Sequence, residues 1–341
     1  MGAQGIFLDK LSRGEGLTAL EMQGAMAEIL SGNIKERDII AWLTFLRDKG
    51  ESSDEIKGAV QALQKKALKL SLKTRDVIDT CGTGGDQKDT FNISTAAAFV
   101  LAGAGITVAK HGNRAVSSRS GSADVLKACG VNVDAPPEIV ARCVDEIGIG
   151  FLFAPLYHSS LKTVAEARKK IGTKTIFNIL GPLLNPAGAK RQVIGVYDQR
   201  LLPLMVQVLK ELGSASAAVV HGGDGLDEVT LTTTTTIFLL KNGKISEEIF
   251  DPRSVGYPYC LPQDLQGGEA AQNAHRLRKM LKGHSQPIDH CVHLNAALAI
   301  RVAGKTDDMR EALLMVQESI SSGKAYQKLE ALVEMTNEHS R

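Results

Sequence analysis

The feature that most constrains this chain is a change of period near residue 75. Beyond it, short β-type runs alternate with helical stretches. Val77-Ile78-Asp79 predicts a strand and a helix follows from about Ser94 to Ala104. Ile106 to Ala109 predicts the next strand, with a helix from about Ser122 to Ala128. Pro136-Pro137 opens another helix, as proline does in a first turn. Phe151 to Phe153 is apolar, Ser160 to Lys170 reads as helical, and strands at Gln192–Val196 and Ala217–Val220 flank a helix from Leu204 to Leu212. Such alternation implies an α/β fold with a mainly parallel central sheet and helices on both faces. Ligands of such sheets sit outside the carboxyl ends of the strands. The run Thr232 to Thr236 is consecutively β-branched and predicts a strand with one wet face and no catalytic meaning. From Gly268 onward the chain reads as helical.

Residues 1 to about 72 read as all-helical. Thr18 with Glu21, and Ser52 with Glu55, match the capping box, in which two side chains satisfy orphan amides reciprocally. Trp42 shares a helical stripe with Phe45 and Leu46, the pattern of a core or subunit contact.

Composition sets the outer limits. At 341 residues with 43% hydrophobic and 23% charged, the chain affords a packed core. A net charge of +2 argues for a local anion site and against general nucleic-acid binding, and 4% aromatics leaves little for base stacking. The five cysteines lack CxxC spacing and read as reduced thiols of a cytoplasmic protein. No signal peptide and no membrane-length apolar run is expected.

Four groups of residues carry chemistry. Asp79-Thr80-Cys81-Gly82-Thr83-Gly84-Gly85-Asp86 places three glycines between a strand and a helix. Glycine permits a sharp turn and close approach to bare amides, although a plain turn uses the same residues. Lys110-His111-Gly112-Asn113-Arg114, continuing through Ser117-Ser118-Arg119-Ser120-Gly121-Ser122-Ala123-Asp124, directly follows a predicted strand and is either a solvated basic loop or a set of cations and hydroxyls suited to phosphate. Asp227-Glu228, in a glycine-rich loop, is either a solvated turn or a pair of hard ligands for magnesium beside a phosphate. Arg168 lies in a helix and, on spacing alone, reads as solvated or salt-bridged.

Together these stretches resemble one family, the anthranilate phosphoribosyltransferases of tryptophan biosynthesis. The likeness is carried by Gly82 to Asp86, Phe91 to Thr95, Lys110 to Arg114, Ser120 to Asp124, Phe177 to Pro186, Gly225 to Glu228 and Gly267 to Ala274, in the family's order over nearly the whole chain. The resemblance implies a reaction in which anthranilate and phosphoribosyl pyrophosphate give N-(5-phosphoribosyl)anthranilate and pyrophosphate. It implies that Gly82, Gly85, Asp86, Thr90, Asn92, Ser94, Thr95, Lys110 and Ser122 hold the phosphoribosyl donor. Ser94, Asp227 and Glu228 would hold Mg2+. Gly82, Asn113, Arg168 and His111 would receive anthranilate, with Arg168 facing its carboxylate. His111 is also the candidate for taking the amine proton, on generic acid–base grounds. The resemblance further implies a small helical domain (residues 1–72, joined by helices near 160–190), a large α/β domain (73–341), and a homodimer joined through the helical domains.

The chain departs from the family's habit at Glu166-Ala167, where proline and valine are frequent, and at Lys174, where arginine is frequent. The threonine run and Tyr257-Pro258-Tyr259-Cys260 are also unfamiliar. Rival readings are a pyrimidine nucleoside phosphorylase of the same general fold, a non-catalytic nucleic-acid-binding relative, and a transferase using the same donor with another acceptor. The first lacks its phosphate and base-recognition motifs here. The second conflicts with the small net charge and with Asn113 and Arg168.

Overall fold

The computed structural model describes residues 3–115, 119–284 and 286–338, so the predicted loop residues Ser117 and Ser118 lie outside the described residues. Four helices come first: α1 (Ala3–Ser12), α2 (Ala19–Ile29), α3 (Glu36–Lys49) and α4 (Ser53–Lys66). Both capping boxes form. Glu21 N donates to Thr18 Oγ1 at 3.3 Å and Thr18 N to Glu21 Oε2 at 2.9 Å. Glu55 N donates to Ser52 Oγ at 3.3 Å and Ser52 N to Glu55 Oε2 at 2.8 Å. Trp42 is buried in the bundle.

The sheet follows. Its strands are β1 (Ile78–Thr80), β2 (Val108–Gly112), β3 (Ile149–Phe153), β4 (Arg191–Gly195), β5 (Ser216–Gly222), β6 (Thr235–Lys241) and β7 (Lys244–Phe250). The spatial order is β3-β2-β1-β4-β5-β6-β7. Pairings from β3 across to β5 are parallel, while β6 and β7 add an antiparallel edge. Two helices used below, α5 (Ile93–Gly103) and α6 (Ser122–Ala128), start after the glycine-rich turn and after the basic loop. The chain leaves β1 toward β2 on one side and returns to β4 on the other. The order therefore reverses between β1 and β4, which is where such sheets open a crevice.

Two hydrophobic cores lie on opposite faces, because successive strand residues point opposite ways. Val193, Ala218 and Val220 enter one core with α5 and the C-terminal helices. Ile194, Ala217 and Val219 enter the other, together with α2 to α4 and residues between Val164 and Leu184.

Three expectations need correction. Lys110 and His111 lie on β2 itself, not in the loop after it, because His111 and Gly112 pair with Leu152 and Phe153 of β3. The threonine run is not one strand. Only Thr235 and Thr236 join β6, while Thr230 and Thr232 turn inward and donate their hydroxyls to Asp224. The helix expected at Ser160 to Lys170 divides into a 3-10 turn at Ser159–Val164 and a helix at Ala165–Ile171. The β6–β7 hairpin lies outside those expectations, although its turn, Asn242-Gly243 with φ of 51° and 73°, is a two-residue hairpin signature.

Candidate active site

The glycine-rich turn forms at the β1–β4 crevice. Gly84 and Gly85 take φ of 63° and 78°, which favours glycine at both positions. Cys81 N donates to Val193 O at 3.1 Å and Thr83 N to Gly195 O at 2.8 Å, which lays the turn along the end of β4. Asp227 then inserts between two glycines. A Cβ on Gly82 would stand 2.6 Å from Asp227 Oδ2, and one on Gly195 would stand 1.6 Å from Asp227 O.

The loop after β5 delivers Asp227 and Glu228 to this point. It is clamped at both ends. Asp224 accepts hydroxyl bonds from Thr230 and Thr232 and an amide bond from Leu226 at 3.2 Å. Asn295 accepts from Val229 N at 2.9 Å and donates to Val229 O at 2.9 Å. Asp227 Oδ2 accepts from Gly84 N at 2.9 Å, and Glu228 Oε1 accepts from Ser94 N at 3.2 Å at the start of α5. Lys110 Nζ donates to Thr80 O and lies 3.4 Å from Ser94 Oγ.

This cluster is electrostatically unbalanced. Burial, and then repulsion from Asp86, hold the Asp227 carboxyl well above the usual carboxylate range. Burial and repulsion from Asp227 do the same to Glu228, with Lys110 partly opposing. Asp86 Oδ2 is buried and finds no partner among the described residues. A hard divalent cation fits such a site, since it takes carboxylate oxygens and relieves their repulsion. Among the described residues no group of three histidine, cysteine or acidic side chains converges to hold one. The protein would supply Asp227, Glu228 and Ser94, and a phosphate ligand or water the rest.

The other predicted donor residues line the same crevice. Thr90 bridges to Gln266. Asn92 Nδ2 donates to Ser120 O at 3.1 Å, and Asn273 Nδ2 donates to Asn92 Oδ1 and to Ser120 Oγ, both at 2.9 Å. Thr95 is buried in the first turn of α5, so it offers its backbone and not its hydroxyl. Ser122 opens α6 and donates to Asn113 O at 3.1 Å. The N-termini of α5 and α6 thus flank the basic strand end, the favoured place for an anion.

His111 is 4% exposed, and burial with the neighbouring His158 ring pushes its pKa down to about 3. Its Nε2 finds no partner among the described residues. Beneath it, buried Asp79 accepts from His111 N at 3.1 Å and from Asn185 Nδ2 at 2.7 Å, and burial lifts the Asp79 carboxyl to about 6. Arg168 stands on the separate helix Ala165–Ile171. Its guanidinium lies over the Phe177 ring at 5.4 Å and meets no carboxylate among the described residues.

Sequence reasoning gives no role to Asn185, Asn273, Asp224 or Lys174. Asn185 and Asn273 lie within stretches that carry the family likeness. Lys174 has no local signal, since Gly85 is brought near it only by folding, while Asp224 bonds to residues two to eight positions on.

Comparison with known proteins agrees with this architecture. Residues 6–67 match the glycosyl transferase family helical bundle domain, and residues 74–326 match the same family's a/b domain. The anthranilate phosphoribosyltransferase of Moorella thermoacetica is 49% identical over 96% of this chain and 96% of its own length. That of Alkaliphilus metalliredigens is 46% identical over 97% and 98%. The crystal structure of anthranilate phosphoribosyltransferase from Thermus thermophilus superposes with a TM-score of 0.92 at 38% identity, covering 97% of this chain and 99% of that one. The Saccharomyces cerevisiae enzyme, in complex with PRPP and Mg, gives 0.90 at 26% identity, with 98% of both chains covered. Both domains match in order and close relatives align nearly end to end, so the chain belongs to the anthranilate phosphoribosyltransferase family.

Proposed function

We propose that this chain transfers the 5-phosphoribosyl group from phosphoribosyl pyrophosphate to anthranilate, releasing pyrophosphate, as a step of tryptophan biosynthesis. The observation that carries the reading is the convergence of the α5 N-terminus, Lys110 and Glu228 on Ser94, with Asp227 beside them on the glycine-rich turn, at the sheet's switch point. Breaking the anomeric carbon–oxygen bond builds positive charge on the ribose and negative charge on the leaving pyrophosphate. Magnesium held by Ser94, Asp227 and Glu228 would neutralise pyrophosphate charge. Gly82, Gly85, Asp86, Thr90, Asn92, Thr95 and Ser122 hold the donor by amides and short polar side chains, and Lys110 adds a fixed cation.

Gly82 and Asn113 border the acceptor side, and Arg168 is free to take the anthranilate carboxylate in a two-pronged grip. His111, neutral throughout the working pH range, lines that pocket. Its depressed pKa makes it a poor proton acceptor. No covalent intermediate is needed, and Cys81, in the glycine-rich turn, is held protonated because burial pushes its thiol up to about 12.

The small helical domain in this reading is residues 1–72 plus the segment near 160–190, supported by the core those stretches share. A homodimer through the helical domains is carried over as what the family likeness implies. A cytoplasmic location is supported by five unpaired cysteines.

The direct test follows anthranilate fluorescence with donor and magnesium. Fluorescence is expected to fall only when both are present, and a chelator is expected to stop it. A protein that binds donor and magnesium yet leaves anthranilate unchanged would refute the acceptor assignment. A Gly195→Ala variant is expected to displace Asp227 and lower kcat/KM by roughly 10²-fold, with circular dichroism unchanged. Wild-type kinetics in that variant would mean that Asp227 need not sit where it does.

A further inference from the structure

Resting on that reading, we infer that Lys174 is a positioning residue that links occupancy of the donor turn to the helix carrying Arg168. Its ammonium donates to Gly85 O at 2.9 Å, across 89 residues of sequence. The same ammonium lies 3.2 Å from the centroid of the Tyr197 ring, and Tyr197 N in turn donates to Thr83 Oγ1 at 3.2 Å. Lys174 therefore touches the glycine-rich turn directly and again through Tyr197. It makes no ion pair among the described residues, although Asp198, Asp86 and Asp227 all attract it. A half-buried cation held by one carbonyl and one ring is replaceable in its contacts, unlike one locked to a carboxylate.

Its own segment is tied to the helical bundle. The helix Ala165–Ile171 ends at Gly172, which adopts φ of 66° and donates its amide to Arg168 O at 3.1 Å. Thr173 Oγ1 accepts from Arg47 Nη1 of α3 at 2.7 Å, and Thr175 N donates to Asn178 Oδ1 at 3.0 Å. The strip from Arg168 to Asn178 is thus tied to α3 through Thr173 and, beyond Lys174, seated in the core by Ile176 and Phe177. A shift of Gly85 is passed through the ammonium to the strip that carries Arg168. Gly85 adjoins Asp86, whose Oδ2 is unsatisfied, and Gly84, whose amide holds Asp227. Donor and metal act on these neighbours, so their arrival moves the carbonyl that Lys174 grips. The result is an Arg168 helix set for the acceptor once the donor is present. Coupling of this kind is a free energy shared by two sites and is read from either one.

The experiment measures anthranilate binding by its fluorescence, with and without saturating magnesium pyrophosphate, which occupies the donor side without reacting. Wild type is expected to bind anthranilate several-fold more tightly with magnesium pyrophosphate, about 5-fold. Lys174→Met keeps the stem over Tyr197 but lacks the charge, and is expected to bring that ratio to within about twofold of one. Lys174→Arg restores a cation of similar reach and is expected to keep most of the ratio. Matching thermal melts exclude misfolding as the cause. The inference fails if wild type shows no enhancement, if Lys174→Met keeps it, or if Lys174→Arg loses as much as Lys174→Met. Failure of the functional reading is separate: there, wild type consumes no anthranilate with donor and magnesium.

Discussion

Asp227→Asn is expected to lower kcat/KM by roughly 10²–10³-fold and, in metal-free buffer, to raise the melting temperature by a few degrees. The two effects have one cause. Asp227, Glu228 and Asp86 form a partly buried acidic cluster in which desolvation and mutual repulsion hold two carboxyls above their ordinary range. Such a site destabilises the empty fold and becomes favourable when a divalent cation enters. The amide of asparagine still accepts from Gly84 N, so the turn keeps its geometry while a charge is removed. Glu228→Gln is expected to lose comparable activity but gain less stability, because Lys110 offsets part of the Glu228 charge, whereas Lys174 shares its attraction among Asp198, Asp86 and Asp227. Differential scanning calorimetry without metal, beside magnesium titrations of the rate, reads both effects. A melting temperature that falls in Asp227→Asn would show that the acidic cluster is not the strained element described here.

Arg168→Ala is expected to lower kcat/KM for anthranilate by about 10²-fold with little change in the KM for the donor. A charge-assisted pair of hydrogen bonds to a carboxylate contributes about 1.5–3 kcal/mol, and each 1.4 kcal/mol is tenfold. Stability is expected to stay nearly constant, because the guanidinium meets Phe177 alone and no carboxylate among the described residues. Arg168→Lys is expected to recover only part of the loss, since a point charge lacks the planar fork. Steady-state kinetics in each substrate settles this. An equal rise in both KM values would place Arg168 in loop closure and not at the anthranilate carboxylate. The departure Glu166-Ala167 just before it does not remove the helix: Ala167 is buried and Arg168 sits one residue on, partly buried.

What can be read from the residues alone is whatever short-range chemistry decides. Capping boxes at Thr18 and Ser52, proline at the start of the helix Pro137–Arg142, and the span of α6 follow from interactions three or four residues apart. The alternation of strand and helix follows from side-chain period, and it already implies a parallel sheet with its site at the strand ends. The Asn242-Gly243 hairpin is equally local, but the β-branched threonine run ahead of it places the strand too early. What the fold alone decides depends on groups far apart in sequence. Lys110 and His111 belong to β2 because β3 supplies partners for their backbone. Asn273 reaches Asn92 across 181 residues, and Lys174 reaches Gly85 across 89. No local preference encodes such pairs. They arise when packing brings distant elements together, and there burial makes most polar groups find a partner, with Asp86 Oδ2 left without one among the described residues.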